Sequence, residues 1–123
     1  MKEFEQKLGY VFKNEDWLIQ ALTHRSYLNE NKNYKLDHNE RLEFLGDAVL
    51  ELVVTEYLFL RYPKRPEGEL TSLRAALVNT VSIGEAGESL GINEYIHLSK
   101  GEAKDTGRAR QYILANAFEA LIG

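Results

Sequence analysis

The stretch Asn39-Glu-Arg-Leu-Glu-Phe-Leu-Gly-Asp47 carries three carboxylates, Glu40, Glu43 and Asp47, at helical positions i, i+3 and i+7. At about 100° per residue, their side chains lie within roughly 60° of one another on a helix. The apolar positions beside this line are predicted to form the core face: Leu42, Leu45, Val49 and Leu52. A line of like charge repels itself, so we expect it to be fully solvated or to face a divalent metal ion.

Gly46 bears on the choice between these two interpretations of the acidic line, a solvated face or a metal site. From spacing alone, a solvated helix face is a more common explanation of this pattern than a metal site. Glycine in the middle of a helix, however, costs about 1 kcal/mol relative to alanine. Its presence between Leu45 and Asp47 is understandable if another backbone or a ligand approaches the helix closely at that point.

The composition indicates one globular domain over residues 1–123, with 44% hydrophobic residues and a net charge of −4. The absence of cysteine excludes disulfides, thiol chemistry and a cysteine zinc site. No signal peptide and no membrane-spanning run is evident, so we expect an intracellular, cytoplasmic protein without a membrane partner. The negative charge is not that of a generic nucleic-acid binder, although an acidic metal site is compatible with a nuclease whose rims are basic.

The apolar periodicity predicts helices throughout and no strands, so the predicted fold class is all-α. The longest helix is predicted over 38–61, capped by Asp37 with Glu40 completing a capping box. Other helices are predicted after the cap Asn14, from Glu67 to Asn79, from the cap Thr80 to the stop at Gly91, and from Ala109 to the end. Two polar segments are predicted to be irregular, Thr23–Tyr34 as a loop and Ser99–Gly107 as a mobile segment.

The last predicted helix stops at Gly123, directly after Leu121 and Ile122. An amphipathic helix that ends there leaves apolar surface in need of a partner. The sequence therefore predicts a truncated chain, a fragment, or a chain completed by another subunit.

The last helix also carries Asn116 and Glu119, at i and i+3 on one face. If that face packs beside Glu43 and Asp47, three carboxylates and one carboxamide oxygen converge. These hard oxygen ligands suit Mg²⁺ or Mn²⁺ and do not suit zinc. Such a metal centre would activate water against a phosphodiester, and Glu67 is placed to join it from another direction.

Four separated segments resemble the ribonuclease III family. Asn39–Leu50 resembles the signature helix of that family, position for position, and Leu22-Thr-His-Arg-Ser-Tyr27 resembles the stretch ahead of it. The third segment runs from Glu67 through Leu77-Val78, and Ile113–Gly123 resembles the second metal-binding helix. The resemblance is strongest to bacterial enzymes with one nuclease domain per chain.

The resemblance implies an all-helical catalytic domain that forms a homodimer around double-stranded RNA. Each subunit of such a dimer cuts one strand with Mg²⁺, leaving 5′-phosphate and 3′-hydroxyl ends. The expected biology is ribosomal RNA processing and the processing and turnover of other structured RNA, including messenger RNA. The double-stranded-RNA-binding domain that usually follows is not present in these 123 residues, and the nuclease domain looks C-terminally truncated.

Several site residues are carried over from the family by position. The metal ligands implied are Glu43, Asp47, Asn116 and Glu119, of which Asp47 and Glu119 are the catalytic acids. Glu40 and Glu67 match accessory acidic positions, and Phe44 matches an aromatic residue inserted into the partner subunit. The position of Asn116 is often aspartate in the family, so weaker metal binding or a preference for Mn²⁺ is a hypothesis.

RNA contacts are expected within the matched motifs, at Gln20, Thr23, His24, Arg25 and Arg74. Because these contacts come from one domain alone, we expect weak binding that depends strongly on salt.

Two other functions stay open at the level of sequence. One is a helical RNA-binding or dimerisation module that no longer cleaves. A module of that kind would be expected to have lost several of the five acids, all of which are present here: Glu40, Glu43, Asp47, Glu67 and Glu119. The other is a helical metal-dependent hydrolase that acts on a small phosphorylated substrate.

Overall fold

The computed structural model describes residues 1–123 and contains eight α-helices and one 3-10 turn. The helices are α1 Lys2–Leu8, α2 Glu15–Ala21, α3 Arg25–Glu30, α4 Glu40–Arg61, α5 Glu67–Leu77, α6 Thr80–Ser89, α7 Lys100–Lys104 and α8 Arg108–Ile122, with the 3-10 turn at Ile92–Glu94. The only strand-like pairing is an isolated bridge between Thr23 and His97. The all-α prediction is therefore confirmed. None of the helices combines the length and apolar character that a membrane crossing requires.

Helix ends follow local chemistry, although two predicted caps are wrong. The Asn14 side chain caps α2 by accepting a hydrogen bond from Asp16 N, as predicted. Helix α6 is capped by Asn79, whose side chain accepts from Ser82 N, and not by Thr80. Gly91 adopts a left-handed φ of 78° after α6, a conformation that glycine reaches without steric cost.

The start of α4 also differs from the predicted capping box. The Asp37 carboxylate accepts from the neighbouring His38 N, and α4 begins only at Glu40. Asn39 precedes the helix and is 3% exposed. Its side-chain amide donates to Ala21 O, so it ties the helix to the end of α2 instead of capping it.

Both segments predicted to be irregular contain a short helix. Helix α3 lies within the predicted loop Thr23–Tyr34, because the His24 ring accepts a hydrogen bond from Ser26 N and caps it. Helix α7 lies within Ser99–Gly107, because the Ser99 hydroxyl accepts from Glu102 N. Histidine is an uncommon N-cap, so the composition gave no signal for α3.

Helix α8 crosses the centre of the molecule and packs mainly against α4 and α6. Seven of its residues are buried, including Ile113 and Leu114. The apolar core is formed where α8 meets the N-terminal helices and the 3-10 turn, by Phe4, Leu18, Leu22, Ile92, Leu114 and Ala117. The second metal-binding helix of the sequence prediction is thus the best-buried element of the chain.

Helix α4 is covered much less by its own chain. Of its 22 residues only Gly46 and Leu58 are buried. The predicted core face is wrong at two positions, since Leu45 and Leu52 are 50% and 67% exposed. Periodicity identifies an apolar face, but it does not tell whether that face meets the same chain or another one.

The crossing of α4 and α8 is a backbone contact. Gly46 lies directly against the backbone carbonyl of Glu119, and a Cβ atom there would overlap it. Gly123 makes a similar close approach to the carbonyl of Leu42. The close approach that the sequence predicted at Gly46 is confirmed, and its partner is backbone.

An open apolar groove of about 640 Å³ lies beside this crossing. Its wall combines the N-terminal residues Leu8 and Phe12 with Trp17 of α2 and the last residues of α8. Trp17 is 55% exposed in it.

Candidate active site

A second cleft, of about 590 Å³, opens on the acidic side of the α4–α8 crossing. Nine residues line it: His24, Arg25, Asn39, Glu40, Glu43, Phe44, Asp47, Asn116 and Glu119. The predicted convergence of the two acidic helix faces is confirmed. The close contact at Gly46 explains it, because it brings α4 and α8 together directly beside the carboxylates.

The floor of the cleft is fixed by buried polar contacts at the start of α4. Asn39 N donates to Thr23 O at 2.9 Å, and the Asn39 side chain donates to Ala21 O at 3.0 Å. Because both contacts are buried, the first turn of α4 is held to the end of α2. This fixes where Glu40 and Glu43 enter the cleft.

Asp47 and Glu119 form the centre of the cleft. Glu119 is 9% exposed. Burial, together with a hydrogen bond to Asp47 and the negative charges of Asp47 and Glu43, raises the pKa of Glu119 to about 8. At neutral pH the Glu119 carboxyl therefore holds a proton that it shares with the Asp47 carboxylate.

Glu43 is affected in the same direction. Burial raises its pKa, and the charges of Glu40 and Asp47 raise it further. Glu40 lies at the more exposed rim, where its carboxylate is 3.6 Å from the Arg25 guanidinium. Glu43 and Asp47 carry like charge, and no cationic side chain of this chain forms an ion pair with either of them. The acidic line therefore differs from an ordinary solvated helix face.

The donor set fits a hard divalent cation by its chemistry. It consists of three carboxyl groups and one carboxamide, from Glu43, Asp47, Asn116 and Glu119. No three histidine, aspartate or glutamate side chains are already arranged as a metal-binding group. These four side chains would hold such a cation, and its binding would compete with protonation of Glu119.

Other predicted site residues lie outside the cleft. Glu67 is exposed at the start of α5 and does not line it. Arg74 donates to Thr55 Oγ1 at 3.0 Å, and its Nε lies 3.8 Å from Glu51, so the side chain fastens α5 to α4.

Of the expected RNA contacts ahead of the signature helix, only two reach the cleft. His24 and Arg25 line it. Gln20 Nε2 donates to His38 O and supports the chain before α4. Thr23 is fully buried, with its hydroxyl donating to Ile19 O. A surface contact by the Thr23 side chain is therefore not available, and the prediction for it is wrong.

Asn39 is the lining residue that sequence reasoning did not single out. Its signal was present, because a short polar side chain directly ahead of a long helix usually has a structural role. The contact of the Ser26 hydroxyl with His24 was also missed, since nothing local indicates it.

Known proteins resemble this chain over most of its length. The family model described as Ribonuclease-III-like matches residues 14–123. The chain is 50% identical over 127 residues to "Ribonuclease 3" of Streptococcus gordonii, covering all of this chain and 55% of that protein. It is 52% identical to "Ribonuclease 3" of Bacillus cytotoxicus, covering 99% of this chain and 50% of that protein. The chain thus spans about half the length of these relatives.

A solved structure gives the same result for the fold. The nuclease domain of ribonuclease III from Campylobacter jejuni superposes with a TM-score of 0.86 at 47% identity, covering 98% of this chain and 80% of that one. That structure is described by its flexibility in a region involved in dimer formation. With the family model matching almost the whole length, the chain belongs to the ribonuclease-III-like family and has the fold of its nuclease domain.

Proposed function

We propose that this chain is the catalytic domain of a Mg²⁺-dependent endoribonuclease that cleaves double-stranded RNA to 5′-phosphate and 3′-hydroxyl ends. One observation carries the proposal: the oxygen-bearing side chains of Glu43 and Asp47 from α4 and of Asn116 and Glu119 from α8 line one cleft. Burial and the negative charge of its neighbours raise the pKa of Glu119 there, which agrees with a site that lacks its cation. Carboxyl groups that converge without a cation cost stability, which is reasonable where a metal ion binds among them.

Each side chain has a distinct part in this proposal. Glu43, Asp47, Asn116 and Glu119 would hold the metal, and the backbone contact at Gly46 sets the separation of the two helices that carry them. When bound, Mg²⁺ supplies the positive charge that favours hydrolysis of a phosphodiester, with Mn²⁺ as a possible substitute. His24 and Arg25 at the edge of the cleft would orient the RNA backbone.

We also propose that two copies associate through α4. Six large apolar side chains of this helix are more than half exposed: Phe44 83%, Leu52 67%, Val53 58%, Tyr57 59%, Phe59 66% and Leu60 67%. A monomer rarely exposes so much apolar surface on one element. Phe44 reaches out from the edge of the acidic cleft, so a second copy docked there would bring two clefts into one RNA-binding surface.

The substrates we propose are duplex regions of structured RNA, including ribosomal RNA precursors in the cytoplasm. Arg25 is the one cation in the cleft wall, and it is 70% exposed despite its contact with Glu40. An exposed guanidinium is suited to phosphate, which supports a nucleic-acid backbone as the ligand.

The proposal is tested by incubating a long RNA duplex with the protein and Mg²⁺, beside Glu119→Ala. We expect cleavage by the parent and none by the variant. Glu85→Ala is the matched control, because Glu85 is an exposed acid on α6 that does not line the acidic cleft. Duplex left intact by the parent, at low salt and with Mn²⁺ as well, would favour a non-cleaving module of the same fold.

A further inference from the structure

His24 is held at the cleft wall by its backbone and by its ring. Its backbone N donates to His97 O at 3.0 Å. Its ring nitrogen Nδ1 accepts from Ser26 N at 3.2 Å and lies 2.7 Å from Ser26 Oγ. These contacts set the position and the ring orientation of His24 within its own chain.

Ser26 contributes the shortest of these contacts, and its hydroxyl is itself oriented. Ser26 is 9% exposed, and its Oγ accepts a hydrogen bond from Ser99 N at 2.9 Å, across 73 residues of chain. With that contact accepted, the hydroxyl hydrogen is free to point at His24 Nδ1. Ser99 N, Ser26 Oγ and His24 Nδ1 therefore form a directed relay of hydrogen bonds.

This relay determines the tautomer of His24. Because Nδ1 accepts the Ser26 backbone N–H, it carries no proton of its own, and the Ser26 O–H can then donate to it as well. Burial lowers the pKa of His24, with nearby Glu102 and Glu40 opposing that shift and Arg25 and His38 adding to it, so the ring is neutral at pH 7. The remaining hydrogen is on Nε2, and no group of this chain is hydrogen-bonded to it.

An Nε2–H group adds a neutral donor to a cleft that is rich in acids. Four of the nine lining side chains are acids, and the only lining cation, Arg25, is already near Glu40. A neutral donor binds an oxygen acceptor without competing for the metal-binding carboxylates. The His24 ring can donate from Nε2 only in the tautomer that its contacts with Ser26 favour. In the other tautomer, Nε2 carries a lone pair and no hydrogen.

We propose that Ser26, fixed by the backbone N–H of Ser99, is a positioning residue that keeps His24 as an Nε2–H donor for a backbone oxygen of the RNA strand. The acceptor is a 2′-hydroxyl or a non-bridging phosphate oxygen, which share this chemistry. That the ligand is RNA rests on the proposed function. The hydrogen bonds among Ser99, Ser26 and His24 are present in the protein without RNA.

The relay is tested first without RNA, by the ¹⁵N NMR shifts of the His24 ring nitrogens. We expect Nδ1 unprotonated and Nε2 protonated in the parent, and a measurable population of the other tautomer in Ser26→Ala. A parent with protonated Nδ1, or a Ser26→Ala ring with unchanged shifts, overturns the proposal whatever the protein cleaves.

Ser99 offers a second variant that leaves the buried serine in place. Its φ of −63° already suits proline, so Ser99→Pro removes the N–H without changing the backbone angle. Both Ser99→Pro and Ser99→Ala lose the hydroxyl that caps α7, but only the first loses the N–H. We expect the tautomer to shift in Ser99→Pro alone, and equal spectra for the two variants would contradict the relay.

The RNA contact is tested by duplex binding in EDTA, so that the result does not depend on cleavage. We expect His24→Ala and Ser26→Ala to weaken binding about three- to tenfold, as the loss of one hydrogen bond does. Duplexes with single 2′-deoxy positions identify which RNA oxygen accepts the hydrogen bond. If the loss of affinity in the variants disappears on one such duplex, the acceptor is a 2′-hydroxyl. If the loss persists on all of them, the acceptor is a phosphate oxygen. Parent-like binding by both variants overturns the proposal, whereas failure of the parent to cleave overturns only the proposed function.

Discussion

Gly46 of α4 and Glu119 of α8 touch through backbone, with the glycine Cα against the glutamate carbonyl. The side chain of the same Glu119 shares its proton with Asp47, one residue beyond the glycine. The close backbone contact of α4 with α8 and the centre of the cleft therefore involve the same residue, Glu119.

Gly46→Ala is expected to destabilise the protein by about 2 kcal/mol, although helix propensity alone would favour alanine by about 1 kcal/mol. The added Cβ overlaps the Glu119 carbonyl and forces the helices apart. Urea unfolding measures the effect. The matched control is Gly68→Ala in α5, where a Cβ meets nothing within 4 Å and the change should be neutral or stabilising. Equal behaviour of the two variants would contradict the close contact.

The metal-free protein is expected to lose stability as the pH rises from 5 to 8. The pKa of Glu119 is about 8 in the folded chain, above its usual value of 4.5, so its proton stabilises the fold fully below 4.5 and is lost as the pH rises through 8. The decrease should be roughly 2–4 kcal/mol, since one pKa unit corresponds to about 1.4 kcal/mol. Urea unfolding in EDTA at several pH values measures it.

Glu119→Gln provides the control for this pH dependence, because the amide cannot titrate. The slope between pH 5 and 8 should be much smaller in that variant, with the residual part due to Glu43. A slope that is the same in both proteins would show that another group is responsible.

Asn116→Asp is expected to tighten Mg²⁺ binding by about tenfold, because it adds a charge to a set of oxygen ligands. Isothermal titration calorimetry measures the dissociation constant for Mg²⁺ and for Mn²⁺. The preference between the two metals should move toward Mg²⁺ as the site gains charge. Metal dependence that is the same in both proteins would remove Asn116 from the ligand set.

Phe44→Ala is expected to weaken self-association by about 2 kcal/mol, or about 30-fold in dissociation constant, as an interface anchor does. Its side chain is 83% exposed, so the fold of one chain should lose little. Sedimentation equilibrium measures the association. Tyr112→Ala is the control, because Tyr112 is an exposed aromatic residue on α8. Equal dimer strength in parent and Phe44→Ala would place the interface elsewhere.

RNA binding is expected to be weak and to fall at least tenfold when salt rises from about 50 to about 200 mM, because a few phosphate contacts supply most of it. The exposed Arg25 is the first candidate for such a contact, and Arg25→Ala should lower the salt slope by about one. Fluorescence anisotropy of a labelled duplex measures both effects. An affinity that hardly responds to salt would argue against binding through phosphates.

The acidic site could be predicted from sequence because its signals are local. Glu40, Glu43 and Asp47 share one face by helical spacing alone, and Gly46 indicates a close approach. That Asn116 and Glu119 supply the other half followed from the resemblance to a family, since spacing carries no information on which helices pack together.

The missed features depend on contacts between distant residues. Helix α3 is capped by a histidine ring, and the hydroxyl behind that ring is oriented by a residue 73 positions away. The exposed leucines of α4 have the same periodicity as a buried face. From sequence, Thr23 is expected at the surface, but its side chain is buried and its hydroxyl donates to Ile19 O.

Helix α4 holds three of the acids of the cleft, yet only two of its 22 residues are buried within the chain. In the association proposed above, a second copy would cover the apolar side chains of this helix that its own chain leaves exposed. The stability of such a protein decreases on dilution, because dilution dissociates the dimer. Its free energy of unfolding is therefore defined only at a stated protein concentration. A molecule that occupied the outer face of α4 would inhibit the protein without entering the cleft.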